Sequence, residues 1–363
     1  MTVYPGTYMD SRQRAAARRR QRARVVMTLS GAAVVAVVSI AALLIIGRSP
    51  TSSGPSGPPT VPTAVKNKPH SPKPRPKPKQ PPVGAIGRYQ VATRSIYFVD
   101  RSIPSLGPRY LPTLVYYPIV PQSQVAAGRY SRGPFPLVVF APGYQQCRSF
   151  YAPLLNSWAS AGYVVAAVQF PETNCHVQPP HEADMVNEPA DVATVITRML
   201  AISQEKGKAL SGMIDPNQVA VAGHSDGADV AAAMAANTCC RDYQLKAALI
   251  LSGGEYGFGG QYFTGSAPPM LFVQGTSDTW NPPSASLQLY QGDAAGVRYY
   301  LNLPGATHFS PYEGTAEPEP VVARVTVAFL NAYVDGQLSR VGQITALGNT
   351  SVSAIYSAGQ LPG

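Results

Sequence analysis

The chain has 363 residues, 45% hydrophobic and only 13% charged, against roughly 25% charged in an average soluble protein, which excludes a chain disordered throughout, a coiled coil and a charge-rich scaffold. Its net charge of +10 is unevenly placed: residues 1–82 hold fourteen Lys or Arg against Asp10 alone (net +13), and residues 83–363 hold fifteen against eighteen Asp or Glu (net −3). The mildly acidic remainder has no basic groove, so no nucleic-acid partner is expected.

Residues 1–24 form a basic segment with seven arginines between Arg12 and Arg24. Residues 25–47 follow without a charge and are closed by Arg48. As a helix this stretch would reach about 34 Å, enough to cross a hydrocarbon core of about 30 Å. Gly47-Arg48-Ser49-Pro50 is a poor cleavage site, which favours an uncleaved transmembrane anchor over a signal peptide. The arginines precede the span, so the expected topology is single-pass in the cell membrane, N-terminus cytoplasmic and the rest on the outer face. Residues 48–87 carry twelve prolines between Pro50 and Pro82, with cations alternating over 73–79. Proline fixes φ and like charges repel, so this segment reads as an extended, disordered linker.

From residue 88 to 363 strands and helices alternate. Residues 89–99 and 113–117 read as an antiparallel start. Residues 137–140, 163–170, 218–222, 245–251, 270–274 and 298–303 are strands, several of them continuous apolar runs that mark burial on both faces. Residues 150–161, 185–204, 225–237, 287–291 and 321–334 are helical, and Asp215-Pro216 reads as a turn into its strand. This pattern predicts a mostly parallel sheet with helices on both faces. The tail after Gly336 is weakly patterned.

Gly223-His224-Ser225-Asp226-Gly227 matches G-x-S-x-G between a strand and a helix, where a tight turn lifts a serine clear of the sheet edge. A serine needs a base and an orienting acid. Of the five histidines only His308 follows the serine in the chain, in a loop straight after the last predicted strand. Asp278 follows the strand 270–274 and is the preferred acid, ahead of Glu255 and Asp293. An oxyanion hole needs two fixed N–H donors. Asp226 supplies one, and Tyr144, in the loop Ala141-Pro142-Gly143-Tyr144, supplies the other. The Tyr144 ring, His224, Tyr256, Trp280 and Phe309 are candidates for the substrate pocket.

These motifs, with Phe140-Ala141-Pro142-Gly143-Tyr144, Gly275-Thr276-Ser277-Asp278 and the run Leu303 to Phe309, resemble the α/β-hydrolase superfamily. Within it they look like the dienelactone-hydrolase-like, cutinase-like and polyester-hydrolase-like serine esterases. The resemblance spans about residues 88–334 and implies a Ser225–Asp278–His308 triad, Tyr144 and Asp226 amides as oxyanion donors, and no cofactor. Many relatives carry a neutral residue where Asp226 stands. Only eighteen residues separate the strands ending at Leu251 and starting at Met270, so no large cap domain is expected, and the Gly-rich run 253–260 suggests a flexible aromatic rim.

The four cysteines fall on the predicted outer side, where disulfides form. Cys147 and Cys175 follow strands 137–140 and 163–170, whose loops leave a parallel sheet at the same edge. They are expected to pair and brace the oxyanion loop, with Cys239 and Cys240 free or joined to each other. No metal site is expected. The functional expectation is a membrane-anchored esterase cleaving a small-molecule, lipid or polyester substrate. An acyltransferase acting on cell-envelope lipids or polymers would use the same residues, and a non-catalytic binding module would not need all three.

Overall fold

The computed structural model describes residues 86–120, 123, 133–314, 317–357 and 360–361. The expected basic segment and membrane span, and all of the expected linker but residues 86–87, lie outside them. Among the described residues no helix is long and apolar enough to cross a membrane.

The described chain begins with a long antiparallel hairpin, β1 (Gln90–Asp100) and β2 (Arg109–Ile119), paired from Gln90↔Ile119 to Asp100↔Arg109. It continues through β3 (Phe135–Ala141), α1 (Ala152–Ala161), β4 (Val164–Val168), α2 (Glu188–Gln204), β5 (Ile214–His224) and α3 (Asp226–Ala236). The remainder is β6 (Leu245–Leu251), β7 (Met270–Gly275), α4 (Pro283–Gly292), β8 (Arg298–Leu303), α5 (Glu319–Tyr333), α6 (Gly342–Gly348) and β9 (Ala354–Ser357). All nine strands form one sheet in the order β1-β2-β4-β3-β5-β6-β7-β8-β9. Strands β3 to β8 run parallel to one another, and the hairpin and β9 are antiparallel additions at the two edges.

Alternation along the buried strands divides the core in two. Leu137 and Val139 of β3 face one side with Val192, Val195 and Met199 of α2 and Val230 and Met234 of α3. Val138 and Phe140 face the other with Leu154 and Trp158 of α1 and Val325 and Phe329 of α5. Continuous apolar runs such as β3 therefore mean burial on both faces. The chain crosses from β3 to β4 on one side and returns to β5 on the other, so β3 and β5 flank a switch point, and open α/β sheets bind ligands at the carboxyl end of such a point.

Several boundaries differ from the sequence reading, for local reasons. β2 runs through Pro112 and Pro118, which lie outside the 113–116 segment that pairs with β4. β5 begins at Ile214, and its register with β3 jumps from Phe135↔Ile214 to Leu137↔Val219. Asp215 turns the chain inside that irregularity, its Oδ1 accepting the Asn217 N–H at 2.8 Å. The helices predicted at 150 and 185 each open as a 3₁₀ turn, Arg148–Tyr151 and Glu182–Asn187, before a proline in the first turn sets the α-helix. The weakly patterned tail supplies α6 and β9, and the Tyr290 hydroxyl donates to the Ser357 carbonyl at 2.6 Å.

Candidate active site

β5 ends at His224 and α3 begins at Asp226, which leaves Ser225 at the bend with φ 56° and ψ −124°. Non-glycine residues adopt such a backbone only under strain, and the surrounding structure must hold it. Two glycines make the bend possible. A Cβ on Gly223 would fall on the Gly227 carbonyl, and one on Gly227 would fall on the Ala141 carbonyl. The Ser225 N–H donates to the Leu251 carbonyl at 2.9 Å, pinning the bend to the end of β6. The Ser225 side chain makes no capping bond to α3, so its Oγ is not consumed by the helix it precedes.

His308 and Asp278 meet at the same sheet edge. His308 Nδ1 lies 2.7 Å from Asp278 Oδ2, with both side chains buried. The carboxylate is held from three further directions. Its Oδ1 accepts the N–H groups of Trp280 and Asn281, each at 2.9 Å, and its Oδ2 accepts the Gln274 amide at 3.1 Å. An acid fixed this way orients the imidazole so that Nδ1 carries the proton and Nε2 faces away from Asp278. Of the alternative acids, Glu255 lies in the loop after β6. Asp293 follows α4 at the opposite, amino-terminal side of β8, with its carboxyl pushed up to about 6 by burial.

His224 corrects the sequence reading. It has no exposed surface and does not line an open pocket. Its Nε2 donates to the His308 carbonyl at 2.9 Å, which leaves Nδ1 to accept from the Tyr151 hydroxyl at 2.8 Å. The Tyr151 oxygen in turn accepts the Gly143 N–H at 3.3 Å. Burial, and then the neighbouring His308, hold His224 well below the usual histidine range, so it is neutral. This strut joins the loop after β3 to the loop that carries His308. Sequence reasoning missed it because Tyr151 and His224 are 73 positions apart and neither stands out as a partner for the other.

The loop after β3 lies against the bend: a Cβ on Gly143 would come within 3.0 Å of Ser225 Cβ. It is tied to the 171–181 loop at three points. Gln145, itself at φ 58°, donates its N–H to the Thr173 carbonyl at 2.6 Å. The Tyr144 hydroxyl donates to the Pro180 carbonyl at 3.1 Å. Cys147 and Cys175 are joined as a disulfide with Cα atoms 5.1 Å apart. Thr173 is held in turn by Glu188, whose Oε1 accepts its hydroxyl at 2.5 Å. Burial pushes the Glu188 carboxyl well above the usual range, against the Thr173 bond, and the charges of Asp226, Asp191 and Asp184 add to the shift. Nearby, Arg109 at the start of β2 is clamped between Asp184 and Asp191 at 2.6–3.1 Å, which fixes the segment leading out of the 171–181 loop.

Ligand atoms of Cys147, Cys175 and His176 lie within 4.8 Å of one another. The two sulfurs are spent on each other and offer no thiolates to a metal. Cys239 and Cys240 are bonded as neighbours, so no cysteine is free.

The remaining candidate residues separate into two groups. Trp280 stacks on His308 with ring centroids 6.1 Å apart, and Phe309 meets the same imidazole edge-on at 4.8 Å. Tyr256 packs edge-on with Phe258 at 5.5 Å, and both lean half-buried on the core face that holds α2 and α3. Asp226 is buried in the first turn of α3, where a helix N-terminus favours negative charge.

A family model described as chlorophyllase matches residues 105–271. No curated protein matches the chain. The matched stretch holds Ser225 and the loop after β3 and stops before Asp278 and His308. The match covers less than half of the chain, and with the mostly parallel sheet it is consistent with a fold of the α/β-hydrolase type.

Proposed function

We propose that the protein is a carboxylic-ester hydrolase working through an acyl-enzyme on Ser225. The observation that carries this reading is the His308–Asp278 pair at 2.7 Å, at the sheet edge where Ser225 occupies its strained bend. In the proposed reaction Ser225 Oγ attacks the ester carbonyl and passes its proton to His308 Nε2. The carbonyl oxygen becomes an oxyanion, received by the amides of Tyr144 and Asp226. Collapse of this intermediate breaks the bond to the alcohol oxygen, which takes the proton from His308. Water then repeats the sequence and releases the acid. Asp278 keeps the imidazole in the required tautomer and stabilises its charged form.

The membrane tether belongs to the same proposal and rests on the sequence of residues 1–48: seven arginines, then an uncharged span closed by Arg48.

The purified chain should hydrolyse short p-nitrophenyl esters and be labelled on Ser225 by a fluorophosphonate. Ser225→Ala should abolish both, and His308→Ala should lower kcat about as far, because the three groups act as a unit. Undiminished hydrolysis by the folded Ser225→Ala protein would overturn the assignment.

A further inference from the structure

Beside the candidate catalytic residues runs an open groove of about 250 Å³, lined by Gln146, Phe150, Phe309 and Glu313. Its walls reach both halves of the site. The Gln146 side chain lies against Gly143, where a Cβ would come within 3.4 Å of its Cγ and within 3.0 Å of Ser225 Cβ. Phe309 packs on the His308 ring at 4.8 Å. Phe150 is 47% exposed, a large aromatic side chain left half in solvent at the mouth of a site. The far wall is firm, because Gly314, next to Glu313, sits so tightly on Pro153 of α1 that a Cβ there would overlap the proline ring.

We infer that this groove receives the alcohol half of the ester, taking an uncharged apolar alcohol and rejecting an anionic one. The inference rests on the esterase reading above. Chemistry gives the orientation: His308 must deliver its proton to the departing alcohol oxygen, so the alcohol leaves on the His308 side. The groove continues from that side through Phe309. Its two rings offer apolar walls, and its volume equals about eight waters of liquid, room for an aromatic ring or a short alkyl group. The one ionisable group among its lining residues is the Glu313 carboxyl, which repels a negative substituent and leaves a neutral one unaffected.

The test uses the full-length chain in detergent, with active sites counted by fluorophosphonate labelling of Ser225. Butyrate esters of benzyl alcohol, 4-carboxybenzyl alcohol and ethanol are compared at pH 8, well to the alkaline side of the usual carboxyl range because burial raises the Glu313 carboxyl. The wild-type protein should favour benzyl over 4-carboxybenzyl butyrate in kcat/KM, and Glu313→Gln should shrink that ratio about tenfold. Gln146→Glu, which adds a second negative charge, should widen it. Phe150→Ala should lower the ratio of benzyl to ethyl butyrate about tenfold through lost aromatic contact. Unchanged ratios in labelled, folded variants would overturn the subsite while leaving the esterase reading intact. So would a Glu313→Gln effect that follows charge on the acyl half, as between benzyl butyrate and the benzyl half-ester of succinate. Failure to turn over any ester, with Ser225 unlabelled, would overturn both.

Discussion

The Tyr151 hydroxyl lies 2.8 Å from His224 Nδ1, one residue before the candidate nucleophile. Through that contact the residue marked x in the G-x-S-x-G motif supports its neighbours on both sides: Gly143 through the tyrosine oxygen and His308 through its carbonyl. Tyr151→Phe removes the hydroxyl and leaves the buried Nδ1 and the Gly143 N–H without this partner. A stability loss of about 1–3 kcal/mol is expected from unsatisfied buried groups. Because the loop beside Ser225 loosens, kcat should fall more than KM changes. Urea denaturation and steady-state kinetics on one ester check both.

Glu188 gives a pH signature with a defined sign. Its folded-state carboxyl titrates well above the ordinary carboxylate range, chiefly through burial. A raised folded value means that the folded protein binds this proton more tightly than the unfolded chain. The stabilising contribution is therefore complete below about pH 4.5 and is lost as pH rises through the folded value. Glu188→Gln keeps an acceptor for the Thr173 hydroxyl and cannot ionise. Relative to the wild type, it should gain stability with rising pH between 5 and 9 and show little difference at pH 4. Urea midpoints across that range measure it, and a difference that does not change with pH contradicts it.

The Cys147–Cys175 bond closes a loop with a sequence separation of 28. Its loss should cost about 2–4 kcal/mol of stability. It should also lower the proposed esterase activity, because the loop against Ser225 then keeps only the Thr173 and Pro180 ties to the 171–181 loop. Thermal unfolding and activity of the Cys147→Ser/Cys175→Ser protein provide the check. Thr173→Val tests the adjacent tether and should lower kcat, with Thr173→Ser restoring it, since only the hydroxyl meets Glu188.

The tether reading makes its own prediction. A reporter fused after Gly363 should be active only outside the cytoplasm, and membrane-extracted protein should yield peptides from before Val25. A mature N-terminus near Pro50 would replace the anchor with a cleaved signal peptide.

Much of this arrangement is legible in the sequence wherever a local rule applies. Leu245–Leu251 and Arg298–Leu303 are short apolar or aromatic runs with clear turns on both sides, and both strands begin and end where the pattern does. The strand, bend and helix around Ser225 lie within one contiguous stretch, and chain order alone singles out His308. What escapes is long-range. The Thr173 and Tyr151 contacts join polar groups that any loop might carry, and their partners are decided by how β3, β4 and β5 sit side by side. β9 is four residues long and lacks a strong alternation, so its strand character comes from the exposed edge of β8. His224 was misplaced for a related reason. A motif places a side chain along the chain but does not say which way a strained bend turns it.

The three ties between the 143–147 and 171–181 loops bear on time as well as on shape. Ordering a loop costs conformational entropy, and here that cost falls on folding rather than on the arrival of a ligand. A boronic acid that adds to Ser225 and mimics the oxyanion would meet a receptor already in its bound form. Its onset should follow a single exponential whose rate climbs linearly with inhibitor concentration, with no plateau set by a slow rearrangement.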